Sequence, residues 1–138
     1  MNWKQLRHKA IEAAAGAYAP YSGFPVGAAA LVDDGRIVAG CNVENVSYGL
    51  GLCAECAVVC ALHSGGGGRL VALSCVAADG APLMPCGRCR QVLLEHGGPQ
   101  MLIDPRRLTI ARSVRECYRC RRGEHVRPQV IWSRCGWP

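Results

Sequence analysis

Val26-Gly27-Ala28-Ala29-Ala30-Leu31-Val32-Asp33-Asp34-Gly35-Arg36-Ile37-Val38-Ala39-Gly40-Cys41 is the stretch that decides the fold. Val26–Val32 is an unbroken apolar run, the pattern of a strand covered on both faces. Asp34-Gly35 is a two-residue hairpin signal, and residues 36–41 read as the returning strand. Upstream, residues 3–18 carry Leu6, Ala10, Ile11, Ala14 and Tyr18 at helical spacing, with Lys4, Gln5, Lys9 and Glu12 facing away. Pro20 and the Gly23/Pro25 pair end that helix. Downstream, residues 53–63 are apolar and long enough for a helix, which the glycines at 65–68 stop. Leu70–Ala77 is strand-like, residues 87–95 predict another helix behind Pro85, and residues 101–103 a short strand. This order predicts an α/β fold: a three-layer αβα domain with a mixed central sheet of about five strands and helices on both faces.

At 138 residues and 50% hydrophobic content the chain has the makings of one domain with a real core, not of a disordered tail. Its longest apolar run is too short to span a bilayer, and Glu12 interrupts the Ala-rich N-terminal stretch, so neither membrane nor secretory routing is expected. The expected location is cytoplasmic. The net charge of +6 is unevenly spread. Residues 1–105 hold seven basic side chains against eight acids, while residues 106–138 hold nine Arg against Glu116 and Glu124. The basicity therefore belongs to the tail and says nothing about the partners of the body.

Ten cysteines in a chain without a secretory signal point to metal binding or catalysis rather than disulfides. Two clusters stand where a loop hands over to a helix, Cys53-Ala54-Glu55-Cys56 and Pro85-Cys86-Gly87-Arg88-Cys89. The positive end of a helix favours thiolate, the form that binds metal, and a sulfur-rich pocket suits zinc. Two site types follow. Four ligands, Cys53, Cys56, Cys86 and Cys89, make a closed structural site; three leave a position for water and a catalytic one. Glu55 favours the catalytic type, since an extra carboxylate has no structural use beside thiolates. On an ideal helix wheel, however, positions 53 and 56 lie near one face and 55 turns away, which favours the closed type. Residue chemistry alone leaves both open.

Cys53-Ala54-Glu55 followed by Pro85-Cys86-Gly87-Arg88-Cys89-Arg90-Gln91 resembles the zinc signature of the small homo-oligomeric cytidine deaminases. Residues 21–29 (Tyr-Ser-Gly-Phe-Pro-Val-Gly-Ala-Ala) resemble the family's entry into its first strand, and residues 40–50 its nucleoside-binding loop. The resemblance runs from about Leu6 to Asp104. It implies hydrolytic deamination of cytidine and 2′-deoxycytidine to the uridines, with ammonia released, in pyrimidine salvage. Cys53, Cys86 and Cys89 would hold one Zn²⁺ per subunit, with the fourth position on water, and Glu55 would shuttle protons. Asn42 and Glu44 would bind the ribose 3′-hydroxyl, backbone groups of Ala54 would read the base edge, and Phe24 would pack on the pyrimidine. Tyr48 would lie near a subunit boundary of a homotetramer with shared sites. The spacing of Asn42 and Glu44 suits this role, since in an extended segment both point one way while Val43 faces the core. The contrasting reading is a non-enzymatic structural-zinc module, all four cysteines bound, whose basic tail touches nucleic acid.

Two features depart from the family. Cys56 stands where many homotetrameric relatives have an Arg that moderates a three-thiolate zinc; helix N-termini with Arg88 or Arg90 are expected to compensate. From Pro105 onward the family's Leu-rich end is missing. This divides the chain into a deaminase domain at 1–104 and an atypical basic tail at 105–138. Cys117 and Cys120 have only Cys135 as a further candidate partner there, and Tyr118, Trp132 and Trp137 among the arginines read as a solvated segment rather than an RNA-binding one. The glycines at 65–68 lack the Gly-Lys-Ser/Thr of a phosphate loop, His63 and His96 suit helix C-termini, and Cys41, Cys60 and Cys75 read as small core residues.

Overall fold

A computed structural model of the chain describes residues 1–104 and 108–110. The apolar run becomes β1 (Val26–Val32), paired antiparallel with β2 (Ile37–Cys41). The turn is one residue longer than its Asp34-Gly35 signal. Val32 N–H donates to the Arg36 carbonyl at 2.9 Å, which leaves Asp33, Asp34 and Gly35 as the loop, Gly35 with a φ of 92°. That positive φ is what glycine supplies to a three-residue hairpin.

β1 also pairs antiparallel with β3 (Leu70–Ala77); β4 (Leu102–Ile103) lies parallel to β3, and β5 (Leu108–Thr109) antiparallel to β4. The order β2-β1-β3-β4-β5 is a mixed five-stranded sheet. Its parallel neighbours require a crossover, and α3 (Gly87–Gly97) carries the chain from β3 to β4. α2 (Ala54–Ser64) does the same from β2 to β3.

Helices cover both faces. α1 (Trp3–Ala14), capped by Asn2 Oδ1 accepting from Gln5 N–H at 3.2 Å, lays Leu6 and Ala10 on Ala29, Ala72 and Val76. On the other face Val58, Val59, Leu62 and Leu93 meet Ala28, Ala30, Val32, Leu73 and Cys75. Two glycines set how closely the layers approach. A Cβ on Gly27 would stand 1.9 Å from the Ala10 carbonyl oxygen, and one on Gly40 would stand 2.5 Å from Ala57 Cβ. β1 and β2 thus lie against helix backbone, which explains the Ala-rich sequence on both sides of the contact.

Several local expectations shift. α1 ends at Ala14, four residues short of Tyr18. Tyr18 N–H donates to the Asn42 carbonyl at 3.1 Å and its carbonyl accepts from Glu44 N–H at 2.8 Å, so pairing with the 42–44 segment replaces the last helical turn. Ile11 is 40% exposed, because the tight contact at Gly27 admits only the 6/10/14 row to the sheet. Val43 is 42% exposed rather than facing the core, being held between Tyr18 and Leu52 as an isolated bridge. Cys75 is buried, Cys41 half-buried and Cys60 exposed, so only the first is a core residue outright. Past residue 104, Ile110 is fully buried in the α2/α3-side core. Asp104 itself, 1% exposed, accepts from Arg7 Nη2 at 2.7 Å and Ser74 Oγ at 3.1 Å, tying α1 to the end of β4. Cys117, Tyr118, Cys120, Trp132, Cys135 and Trp137 lie outside the described residues. Among the described residues no helix is long and apolar enough to cross a membrane.

Candidate active site and metal centre

Cys53 and Cys86 are the N-caps of α2 and α3, both in extended backbone conformation. Cys89 sits one turn into α3 and is fully buried. The three sulfurs lie within 4.8 Å of one another, and those of Cys53 and Cys86 are 4.0 Å apart. Zn–S bonds of about 2.3 Å at a tetrahedral angle put sulfurs about 3.8 Å apart, so the triad fits zinc in spacing and in softness.

The thiols cannot all ionise side by side without a cation. Hydrogen bonds from Cys53 and Cys89, with N–H groups at the start of α3, hold the Cys86 thiol down at about 2. Cys53 is pushed up to about 11, chiefly by its contact with Cys86, and Cys89 is pushed up by all three neighbouring thiols and by burial. The negative charge thus settles on one sulfur, and the others wait for a metal to displace their protons.

Glu55 completes the cluster. Its side chain is 4% exposed, and Oε2 lies 3.3 Å from Cys89 Sγ. Burial pushes its carboxyl above the ordinary carboxylate range. The helix-wheel argument against Glu55 fails for a simple reason. Cys53 is a cap with extended backbone, so the angular count that turned 55 away from 53 does not start until Ala54. Cys56 stands outside the sulfur triad and is half-buried; its contact with Cys89 holds its thiol at about 6. The closed four-sulfur reading is therefore not favoured among the described residues. Of the two arginines, Arg88 lies near enough to Cys56 to lower its pKa and donates to the Gly51 carbonyl at 3.3 Å, while Arg90 Nε donates to the Pro85 carbonyl at 2.7 Å.

The other candidates gather around two loops. Ala54, fully buried, opens α2 beside Cys53. Phe24 and Tyr48 are 50% and 84% exposed. Asn42 and Glu44 both reach the loop that carries Phe24. Asn42 Oδ1 accepts from Val26 N–H at 2.8 Å and its Nδ2 donates to the Phe24 carbonyl at 3.1 Å. Glu44 Oε2 accepts from the N–H groups of Tyr21 at 2.9 Å and Ser22 at 3.2 Å. The Ser22 hydroxyl foremost, then these N–H groups, hold Glu44 below the ordinary carboxylate range. A cleft of about 240 Å³ opens beside them, lined by Tyr21, Ser22, Glu44, Asn45, Tyr48 and Gly51. A larger concavity, about 440 Å³ along the outer side of α1, meets no cysteine and none of these residues.

Three participants were not legible beforehand. Tyr21 serves through its backbone N–H and Ser22 through its N–H and hydroxyl, bonds set by a turn that no side-chain pattern announces. Cys75 hydrogen-bonds with Glu55 as well as filling the core. Its place opposite Ala28 in the register, on the α2-side face of β3, would have located it.

The comparison with known proteins agrees with this geometry. The family profile "Cytidine and deoxycytidylate deaminase zinc-binding region" matches residues 1–103. A cytidine deaminase of Mycobacterium tuberculosis is 74% identical over 112 residues, which span 78% of this chain and 84% of that protein. One from Halalkalibacterium halodurans is 47% identical over 95 residues, 69% of this chain and 72% of its own. The crystal structure of the Mycobacterium tuberculosis cytidine deaminase superposes with a TM-score of 0.80 at 70% identity, covering 82% of this chain and 94% of that one. That of Mycobacterium leprae gives 0.81 at 56%, covering 83% and 98%. With its three-cysteine centre and buried glutamate, the chain belongs to the cytidine deaminase family of zinc-dependent hydrolases.

Proposed function

We propose that this protein deaminates cytidine and 2′-deoxycytidine hydrolytically, releasing ammonia, as a pyrimidine-salvage enzyme. The observation that carries the reading is the buried Glu55 carboxyl 3.3 Å from a sulfur of the Cys53/Cys86/Cys89 triad. A carboxylic acid with a raised pKa at that position can take up a proton and return it near neutrality.

Cys53, Cys86 and Cys89 would hold one zinc ion per chain, and the ion would supply Lewis acidity that acidifies a water. Glu55 accepts the proton of the water that adds to C4 of the pyrimidine and hands it to N3. It then relays a second proton to the exocyclic amine, the C4–N bond breaks, and ammonia leaves as the ring becomes uracil. Cys75 lies against Glu55 and keeps that side of the carboxyl out of water.

Asn42 and Glu44 take the ribose 3′-hydroxyl. Their loop contacts leave capacity for this: Asn42 retains one amide hydrogen, and the Glu44 carboxylate has about four acceptor positions for its three loop bonds. Phe24 packs on the base, and backbone groups of Ala54 read its edge. Val46, Tyr48 and Leu50, 77%, 84% and 67% exposed, form an apolar edge beside the cleft. Such an edge is the natural seat of a second subunit, which supports a homotetramer with shared sites and Tyr48 reaching a neighbour. A cytoplasmic location and a deaminase unit that takes in β5 and Ile110, ahead of the rest of the basic segment, complete the reading.

The test is direct. Purified zinc-loaded protein should abolish the cytidine absorbance band with stoichiometric ammonia, and native mass spectrometry should find four chains with four zinc ions. Failure of a fully zinc-loaded tetramer to release ammonia from either nucleoside would overturn the reading.

A further inference from the structure

The far ends of the two catalytic helices hold a second arrangement of metal-binding type. His63 lies in the last turn of α2 and His96 in the last turn of α3. Nε2 of His63 and Nδ1 of His96 are 3.1 Å apart, and the rings meet edge to face at 70° with centroids 4.9 Å apart. Counting from Cys53 along α2, this pair stands about 15 Å from the cysteine centre, so it belongs to no part of the site described above.

Both distances carry information. Two imidazoles whose nitrogens faced each other along a straight hydrogen bond of this length would have centroids about 5.5 Å apart, since each ring adds about 1.2 Å beyond its nitrogen. The observed separation is shorter, so the rings are tilted off that line. Two rings bound to one ion by M–N bonds of about 2.05 Å, with nitrogens this far apart, would have centroids about 4.9 Å apart. The pair is thus already at the spacing of a two-histidine chelate.

The field at this end favours a cation as well. The C-termini of α2 and α3 converge here, so the negative ends of two helix dipoles face the pair, while Arg36 binds the Gly65 and Gly67 carbonyls just beyond α2. His63 is exposed and His96 half-buried, so an ion can approach from solvent and complete its shell with water.

We propose that His63 and His96 form a second metal site, selective for borderline divalent transition ions of the zinc, nickel and copper class, that clamps α2 to α3 at the end remote from catalysis. Imidazole suits these ions, and hard oxygen-seeking cations such as Mg²⁺ gain nothing from it. Binding removes a proton from whichever ring nitrogen carries the shared hydrogen, and no other bond is made or broken.

Zinc-loaded protein with one zinc per chain, verified by mass, should be titrated calorimetrically with NiCl₂. The expected result is one further equivalent of Ni²⁺ per chain and a nickel-dependent rise in Tm, neither reproduced by MgCl₂. His63→Ala and His96→Ala should each weaken nickel binding at least tenfold and cancel the thermal shift. His8→Ala and His125→Ala should keep both. Deaminase activity and the nickel-free Tm of the His63 and His96 variants certify that they are folded. Absence of a further nickel equivalent in the parent, or binding that survives both His63→Ala and His96→Ala, overturns the proposal.

Discussion

The Glu55 carboxylate and the Cys89 sulfur stand 3.3 Å apart although 34 residues separate them in sequence. One is delivered by the start of α2 and the other by the first turn of α3, so the contact exists only because both helices pack on one face of the sheet with their N-termini together. Proton chemistry and metal binding are therefore set by the same packing.

Glu55→Gln separates them. The amide keeps the shape but cannot carry a proton, so kcat should fall by about 10²–10⁴-fold while zinc content stays at the parent's level. A pH effect follows from burial, which raises the Glu55 pKa in the folded chain. The stability contributed by a raised carboxyl is present below its unfolded pKa and is lost as pH rises through the folded one. In metal-free protein Glu55→Gln should accordingly melt a few degrees higher than the parent at pH 8 and gain nothing at pH 4. Thermal melts at the two pH values check this, and an equal shift at both would refute it.

Single substitutions distinguish an open site from a closed one. Cys53→Ala, Cys86→Ala and Cys89→Ala each remove a member of the sulfur triad and should abolish both zinc retention and turnover. Cys56→Ala should keep a full zinc complement, since its sulfur lies outside that triad. Metal analysis after dialysis reads the difference. Loss of zinc in Cys56→Ala would restore the four-sulfur reading.

How much of this was legible beforehand differs from element to element. The hairpin, the order of helices and strands and the three-layer architecture follow from runs such as Val26–Val32, where local pattern and burial coincide. The cysteine cluster follows from two short motifs at helix starts, and its restriction to Cys53, Cys86 and Cys89 from the family resemblance. What escaped is set by tertiary contact. Tyr18 has helical spacing but leaves the helix because the 42–44 backbone bonds it, and Val43 alternates correctly yet is held at the surface. The helix wheel misplaced Glu55 because it treated a cap residue as helical. Asn42 and Glu44 follow from the resemblance and their alternate spacing, whereas their bonds to the Phe24 loop depend on which backbone groups a turn leaves unpaired.

Gly27 records how tightly α1 is seated. Any side chain there would meet the Ala10 carbonyl and the Ala14 backbone nitrogen, neither of which can yield without moving the helix. Gly27→Ala should cost at least about 3 kcal/mol, the upper range for overpacking. Gly23→Ala, in open space, pays only for a φ of 63°, and about 1 kcal/mol is expected. Urea unfolding of the two variants, compared at equal zinc loading, gives the ratio directly.

Zinc uptake should release protons. Of the three ligand sulfurs in the metal-free cluster Cys86 is held low, at about 2, while Cys53 is raised to about 11 and Cys89 is raised as well. Binding as three thiolates therefore displaces about two protons per ion at pH 7. Apparent zinc affinity should fall as pH falls, because protons compete for the same sulfurs. Titrating apo-protein with zinc in buffers of different ionisation enthalpy counts the protons, and a count near zero would show that the thiols are already ionised.

Asn42 and Glu44 hold one loop from two sides, so their effects should not add. Asn42→Ala frees Val26 N–H and the Phe24 carbonyl, and Glu44→Ala frees the N–H groups of Tyr21 and Ser22. Either change lets the Phe24 segment move and should raise KM for cytidine about tenfold or more, with a smaller loss in kcat. Once the loop is loose, the second substitution has less left to remove. A double-mutant cycle on kcat/KM should give a coupling of at least about 1 kcal/mol, in the range found for residues sharing one network. The pH profile adds a second check. Hydrogen bonds from Ser22 and Tyr21 lower the Glu44 pKa, so its contribution persists above the unfolded value and is lost only as pH falls through the folded one. KM should stay flat from neutrality down through pH 5 in the parent. Additive effects of the two substitutions would mean that each residue meets the substrate independently and that the loop needs neither.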